Sequence, residues 1–110
     1  MPAYRGVNFD AFTHNAASAK AVKAAVTGYR VILLGLYLTA ASAVNATVED
    51  TDGTNLTEIL QFTANNLHLN MLYTGNPWAV SNDSTGLQIL LDDTVVTSGI
   101  VIWELETIDP

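Results

Sequence analysis

The stretch Tyr29-Arg30-Val31-Ile32-Leu33-Leu34-Gly35-Leu36-Tyr37-Leu38-Thr39-Ala40 decides the fold. It follows the turn signal Thr27-Gly28, is rich in β-branched and aromatic residues, and runs into the small-residue break Ala40-Ala41-Ser42-Ala43. That pattern predicts a strand over residues 29–39. Ile32, Leu34, Leu36 and Leu38 would face one way, and Val31, Leu33, Gly35 and Tyr37 the other. A strand apolar on both sides is either covered twice within the fold or partly buried by another copy of the chain. Even extended by the small residues through Val44, the run falls short of the ~20 apolar residues that a membrane-spanning helix needs.

Outward from this strand, period-two alternation dominates. Val44, Ala46 and Val48 alternate with Asn45, Thr47 and Glu49 and end at Asp50-Thr51-Asp52-Gly53, a sequence suited to a tight hairpin turn because Gly accepts positive φ. Upstream, residues 15–26 contain six alanines, which propensity alone would make helical. However, Val22, Ala24 and Val26 alternate with Ala21, Lys23 and Ala25, so a strand is expected at about 19–26. Leu56, Ile59, Leu60 and Phe62 match neither period, leaving an irregular strand or a short helical turn open. Leu67, Leu69, Met71 and Tyr73 alternate with Asn66, His68 and Asn70, a half-buried strand. Residues 74–86 read as a long polar loop interrupted by Trp78, Ala79 and Val80. Residues 87–91 and 95–105 supply the last two strands, joined by Asp92-Asp93-Thr94. With Pro2, Gly6, Asn8 and Asp10 around the isolated aromatics Tyr4 and Phe9, residues 1–10 read as an N-terminal arm. The expected fold is therefore all-β: an antiparallel β-sandwich of about eight strands, jelly-roll-like, filling residues 11–110 as one domain.

The composition agrees. At 110 residues, 49% hydrophobic and 14% charged, the chain is long enough for one core and too short for two domains. It has no cysteine, which excludes disulfides, thiolate metal sites and cysteine nucleophiles. Four Lys and Arg against eleven Asp and Glu, net −7, argue against duplex nucleic acid or an anionic membrane as partner. Residues 1–48 hold all four cations and one acid, +3, while residues 49–110 hold the other ten acids, −10. This asymmetry is either ordinary solvation or a basic segment that docks on an acidic neighbour. Met1 to Gly6 carries one positive charge and no apolar stretch of signal-peptide length follows it, so secretion by that route is not expected.

Motifs for chemistry are weak. Asp50, Asp52, Gly53 and Asn55 superficially resemble a calcium loop, but the glycine is fourth from Asp50 where the helix–loop–helix pattern needs it sixth. Asp92 and Asp93, adjacent at a strand end, point apart and read as a polar turn. His14 and His68 are the only imidazoles and are not spaced as paired ligands. There is no nucleophile elbow, phosphate loop or dinucleotide fingerprint. An enzymatic role and a cofactor are therefore not expected. Trp103, flanked by apolar residues, reads as core, whereas Trp78 after Pro77 either caps the sandwich end or touches a partner.

The long strand, together with Gly86-Leu87-Gln88-Ile89-Leu90-Leu91 and Val95-Val96-Thr97-Ser98-Gly99-Ile100-Val101-Ile102-Trp103-Glu104, resembles small β-sandwich proteins of the structural modules of tailed bacteriophages, the capsid decoration or cement proteins. The resemblance covers about residues 12–106 and rests on strand lengths and turns. It implies a non-enzymatic virion protein, assembled in the host cytoplasm and carried on the outer capsid surface as a homotrimer bound to the major capsid protein. Tyr4, Arg5 and Phe9 would then touch the shell, and Val31, Leu33, Tyr37 and Ile102 would form the subunit interface. The same sandwich occurs in fibre and baseplate tips, where Tyr73 and Trp78 would contact a receptor or carbohydrate.

Overall fold

A computed structural model describes residues 7–63, 67–72 and 76–108. Nine strands, and no helix, occur among them: β1 (Asn8–His14), β2 (Ala19–Lys23), β3 (Tyr29–Ala40), β4 (Val44–Asp50), β5 (Leu60–Phe62), β6 (Leu67–Met71), β7 (Ala79–Val80), β8 (Leu87–Leu91) and β9 (Thr97–Thr107). Sheet A has the order β1-β9-β3-β6, with β7 also on β3, and sheet B the order β2-β8-β4-β5. All pairs are antiparallel. The pairs β1/β9, β2/β8, β3/β6 and β4/β5 are nested in sequence, as in one long hairpin rolled into two facing sheets, which is the jelly roll.

The two inner faces make the core. Sheet A contributes Val31, Leu33, Leu36, Leu38, Ala40, Val101 and Phe12, and sheet B contributes Val44, Ala46, Val48, Phe62, Leu87, Ile89 and Leu91. The parity of β3 changes midway, because its register on β9 slips between Leu33 and Gly35. That bulge turns Leu36, Leu38 and Ala40 to the side already occupied by Val31 and Leu33. The expected strict alternation of Ile32, Leu34, Leu36 and Leu38 on one face is thus broken at Leu34. Ile32 and Leu34 are also buried, but outside the core cluster between the sheets. The two-faced strand is therefore largely covered within one chain.

Turn chemistry appears where the sequence placed it. Gly53 has φ +93° and donates its N–H to the Asp50 carbonyl; Gly28 has φ +88° ahead of β3. After the Gly53 turn the chain runs back along β4, with Asn55 bridged to Glu49 and the N–H groups of Leu56 and Thr57 donating to the Val48 carbonyl. Only Leu60–Phe62 of the ambiguous segment is strand, and none of it is helical. The alanine-rich segment is strand as far as Lys23, where a register shift against β8 ends it. Two strands went unanticipated: β7, within the expected loop, and β1. Asn8–Asp10, expected in an arm, pair with Trp103–Val101 of β9. Residues 1–6 lie outside the described residues.

Candidate functional site

The register of sheet A sorts its outward side chains into rows across the strands. Thr13, Ser98 and Thr39 form the first, Ala11, Ile100, Tyr37 and Asn70 the second, and Phe9 and Ile102 beside Gly35 the third. Glu104, Ile32 and Val80 form the fourth, and Glu106 and Arg30 the fifth. The second and third rows carry no charge. Within them Phe9 is 63% exposed, Ile100 40% and Tyr37 38%, with Val80 at 42% alongside. Contiguous exposed apolar side chains on a sheet face mark a contact surface more often than isolated ones do.

The flanking rows are polar in different ways. At one end the Thr13 and Ser98 hydroxyls are 3.3 Å apart, and the Thr39 hydroxyl donates to the Ser98 carbonyl at 3.4 Å. At the other end Arg30 pairs with Asp83 and with Glu106, both at 2.8 Å. These bonds, that to Glu106 foremost, hold the guanidinium above its already high pKa. One cation against Asp83, Glu106 and Glu104 leaves this end at −2.

Of the residues expected at the shell and subunit contacts, three fall on the outer face and two outside the described residues. Phe9, Tyr37 and Ile102, expected to serve two different contacts, share one patch of sheet A. Tyr4 and Arg5 lie outside the described residues. Val31 and Leu33 require correction: both are 0% exposed and packed in the core, so they cannot lie at a subunit interface in this fold. Ile100 and Ala11 belong to the patch and were missed. The alternation in β9 puts Ile100 on the side of Ile102, which was legible; Ala11 was not, because no strand was expected over residues 8–14, the first three of which were read as an arm.

The second expected contact lies on the opposite edge of sheet A. Trp78 is 51% exposed and donates its indole N–H to the Leu72 carbonyl at 3.0 Å, beside Leu72 at 62% exposure. Tyr73 lies outside the described residues. Trp103 is half-buried against the core; its indole N–H donates to Asp10 at 2.6 Å and the Lys23 ammonium sits 4.6 Å from its ring centroid. Lys20 donates to the Thr13 carbonyl at 2.6 Å, so the lysines of β2 close the flank of the sandwich against β1 and β9.

The other singled-out polar groups are also committed internally. Asp50 is 0% exposed; its Oδ1 accepts from the N–H groups of Asp52 and Thr54, both at 3.0 Å, and its Oδ2 from Asn82 at 3.2 Å. That carboxylate ties the β4–β5 loop to the β7–β8 loop. Asp92 accepts from the backbone and side-chain nitrogens of Asn45 at 2.9 and 2.8 Å. His14 is buried, with Nε2 2.6 Å from the Ser18 carbonyl, so that nitrogen carries the proton. No group of three or more His, Asp or Glu side chains arranged to hold a metal occurs among the described residues.

The fold defines the chain as a two-sheet, all-β sandwich. No family model, no curated protein and no solved structure matches it.

Proposed function

We propose that this chain is a non-enzymatic structural protein of a virion, a capsid decoration protein that binds the outer surface of a phage head and stabilises it. The observation that carries the reading is the pair of uncharged rows on the outer face of sheet A, where Phe9, Ile100, Ile102 and Tyr37 come together, three of them more than a third exposed, as a surface suited to contact with another protein chain, shell subunit or sister copy. A second observation supports it. The polar side chains that might have done chemistry, Asp50, Asp92, Arg30 and His14, are engaged in bonds that hold loops and strands together. A decoration protein needs only to bind the assembled shell more tightly than its dissociated subunits, because that difference alone stabilises the shell. Several copies per site would add avidity to individually weak contacts; the resemblance implies three.

The test is sedimentation with phage heads that lack their decoration protein. Saturable co-pelleting, with a rise in the temperature at which the heads break, is the expected result. Protein that stays in the supernatant at every concentration refutes the reading. The exposed indole of Trp78 favours one alternative, a receptor- or carbohydrate-binding tip domain. For that alternative, saturable glycan binding lost in Trp78→Ala is the expected result, and a blank glycan array counts against it.

A further inference from the structure

We infer that the outer face of sheet A is a contact between two copies of this chain, stacked face to face with their strands antiparallel, so that Ile100 of each copy lies against Ile102 of the other. The inference rests on the proposed function only for its setting; the contact itself belongs to the isolated chain.

Size permits this arrangement and charge selects it. A two-fold axis crossing the strands midway between the second and third rows brings the row Ala11, Ile100 of one copy over the row Phe9, Ile102 of the other. The 63% exposed Phe9 ring then meets the small Ala11, and the isoleucines meet each other. Parallel stacking about an axis along β9 keeps like rows together but exchanges β1 with β3, setting Phe9 over Gly35 and Ala11 over Tyr37, so size admits that orientation as well.

Charge separates the two orientations. Parallel stacking superimposes the ends that carry Glu104, Glu106 and Asp83, where Arg30 alone offsets them on the outer face, −2 per copy; Lys23 sits over Trp103 on the inner side of the sheet. Antiparallel stacking separates those ends. It lays the row Thr13, Ser98, Thr39 of one copy over Glu104 of the other, hydroxyls against a carboxylate. The Lys20 ammonium, fixed on the Thr13 carbonyl, adds a positive charge at that same end. Asp92 and Asp93 also lie toward this end, but in the β8–β9 connection, where Asp92 is turned to Asn45 of sheet B. Such complementarity sets orientation more than affinity.

The contact is modest in extent. Three strands about 4.8 Å apart and four rows about 6.8 Å apart give a face of roughly 14 by 27 Å. Two such faces bury roughly 760 Å² in all, well below the range of standard stable interfaces, so a weak dimer that dissociates at high micromolar concentration is expected.

Analytical ultracentrifugation of the full chain from about 1 to 300 µM, spanning that range, tests the inference. The mass should rise from 11.8 kDa toward twice that value. Phe9→Glu and Ile100→Glu should each weaken association at least about tenfold, with circular dichroism confirming the fold. Orientation is read separately. Because the chain has no cysteine, Ile100→Cys and Ile102→Cys place one thiol each. With a short thiol cross-linker, an equal mixture should give more covalent dimer than either variant alone. A monomer at every concentration, a trimer, or cross-linking that favours like with like overturns the inference. A dimer that ignores phage heads sinks the decoration reading and leaves the pairing standing.

Discussion

Replacing Asp50 by alanine removes the one carboxylate that ties two loops at the same end of the sandwich, and the cost can be worked from its bonds. Asp50 is 0% exposed and accepts three backbone N–H groups, from Asp52, Thr54 and Asn82. A hydrogen bond to a charged group contributes about 1.5–3 kcal/mol net. Asp52, Thr54 and Asn82 are themselves exposed, so water reaches part of what alanine vacates, and losing the buried charge recovers some desolvation. The balance is a loss of about 3 kcal/mol, which at this chain length lowers Tm by about 10–20 °C. Asp50→Asn keeps an acceptor for Asp52 and Thr54 but turns an NH2 group toward the Asn82 N–H, and should lose about half as much. The assay is urea unfolding followed by tryptophan fluorescence, with the slope m unchanged between variants. A loss below about 1 kcal/mol for the alanine variant would refute the claim that this carboxylate organises the two loops.

Other consequences are independent of it. Leu33→Ala empties a 0% exposed core position and should cost about 2–5 kcal/mol in urea unfolding while leaving the mass of the folded protein unchanged; an altered association state with full stability would restore Leu33 to an interface. Gly99→Ala points a methyl group into the Tyr37 carbonyl and to 3.1 Å from the Phe12 ring, so it should shift or break the β3/β9 ladder, seen as loss of hydrogen-exchange protection there. Normal protection would contradict that close approach. Lys23→Ala removes the cation over Trp103 and should cost about 0.5–1 kcal/mol with a change in Trp103 emission, checked in a Trp78→Phe background. Unchanged emission would mean that the lysine does not sit on the ring in solution.

The sandwich was legible because its signals are local and consistent. Alternation marked β2, β4 and β6, β-branched and aromatic residues between a glycine turn and a small-residue break marked β3, and Thr27-Gly28 and Asp50-Gly53 marked turns whose glycines do adopt positive φ. β1 was hidden by its composition: Phe9 and Phe12, separated by Asp10 and Ala11, do not alternate as apolar and polar, because Asp10 faces inward only at the flank, where it meets the Trp103 indole. A two-residue strand such as β7 carries no period at all. The bulge at Leu34 left no mark in a run where every neighbour is apolar, and it moved Val31 and Leu33 to the same side as Leu36 and Leu38. That single slip is why half of the expected interface set is core. Tyr37 and Ile102 escaped it because they lie beyond the slip on the opposite side of the sheet, where strand order then set them near Phe9.

Co-pelleting with decoration-free heads, run with a Phe9→Glu, Ile100→Glu double variant and a Leu90→Glu control on the outer side of sheet B, tests most directly whether the face of sheet A is the working surface. The account predicts that the wild type and the control saturate the heads alike, whereas the double variant, deprived of pairing and its avidity, needs at least about tenfold more protein. Equal retention of all three proteins would contradict it.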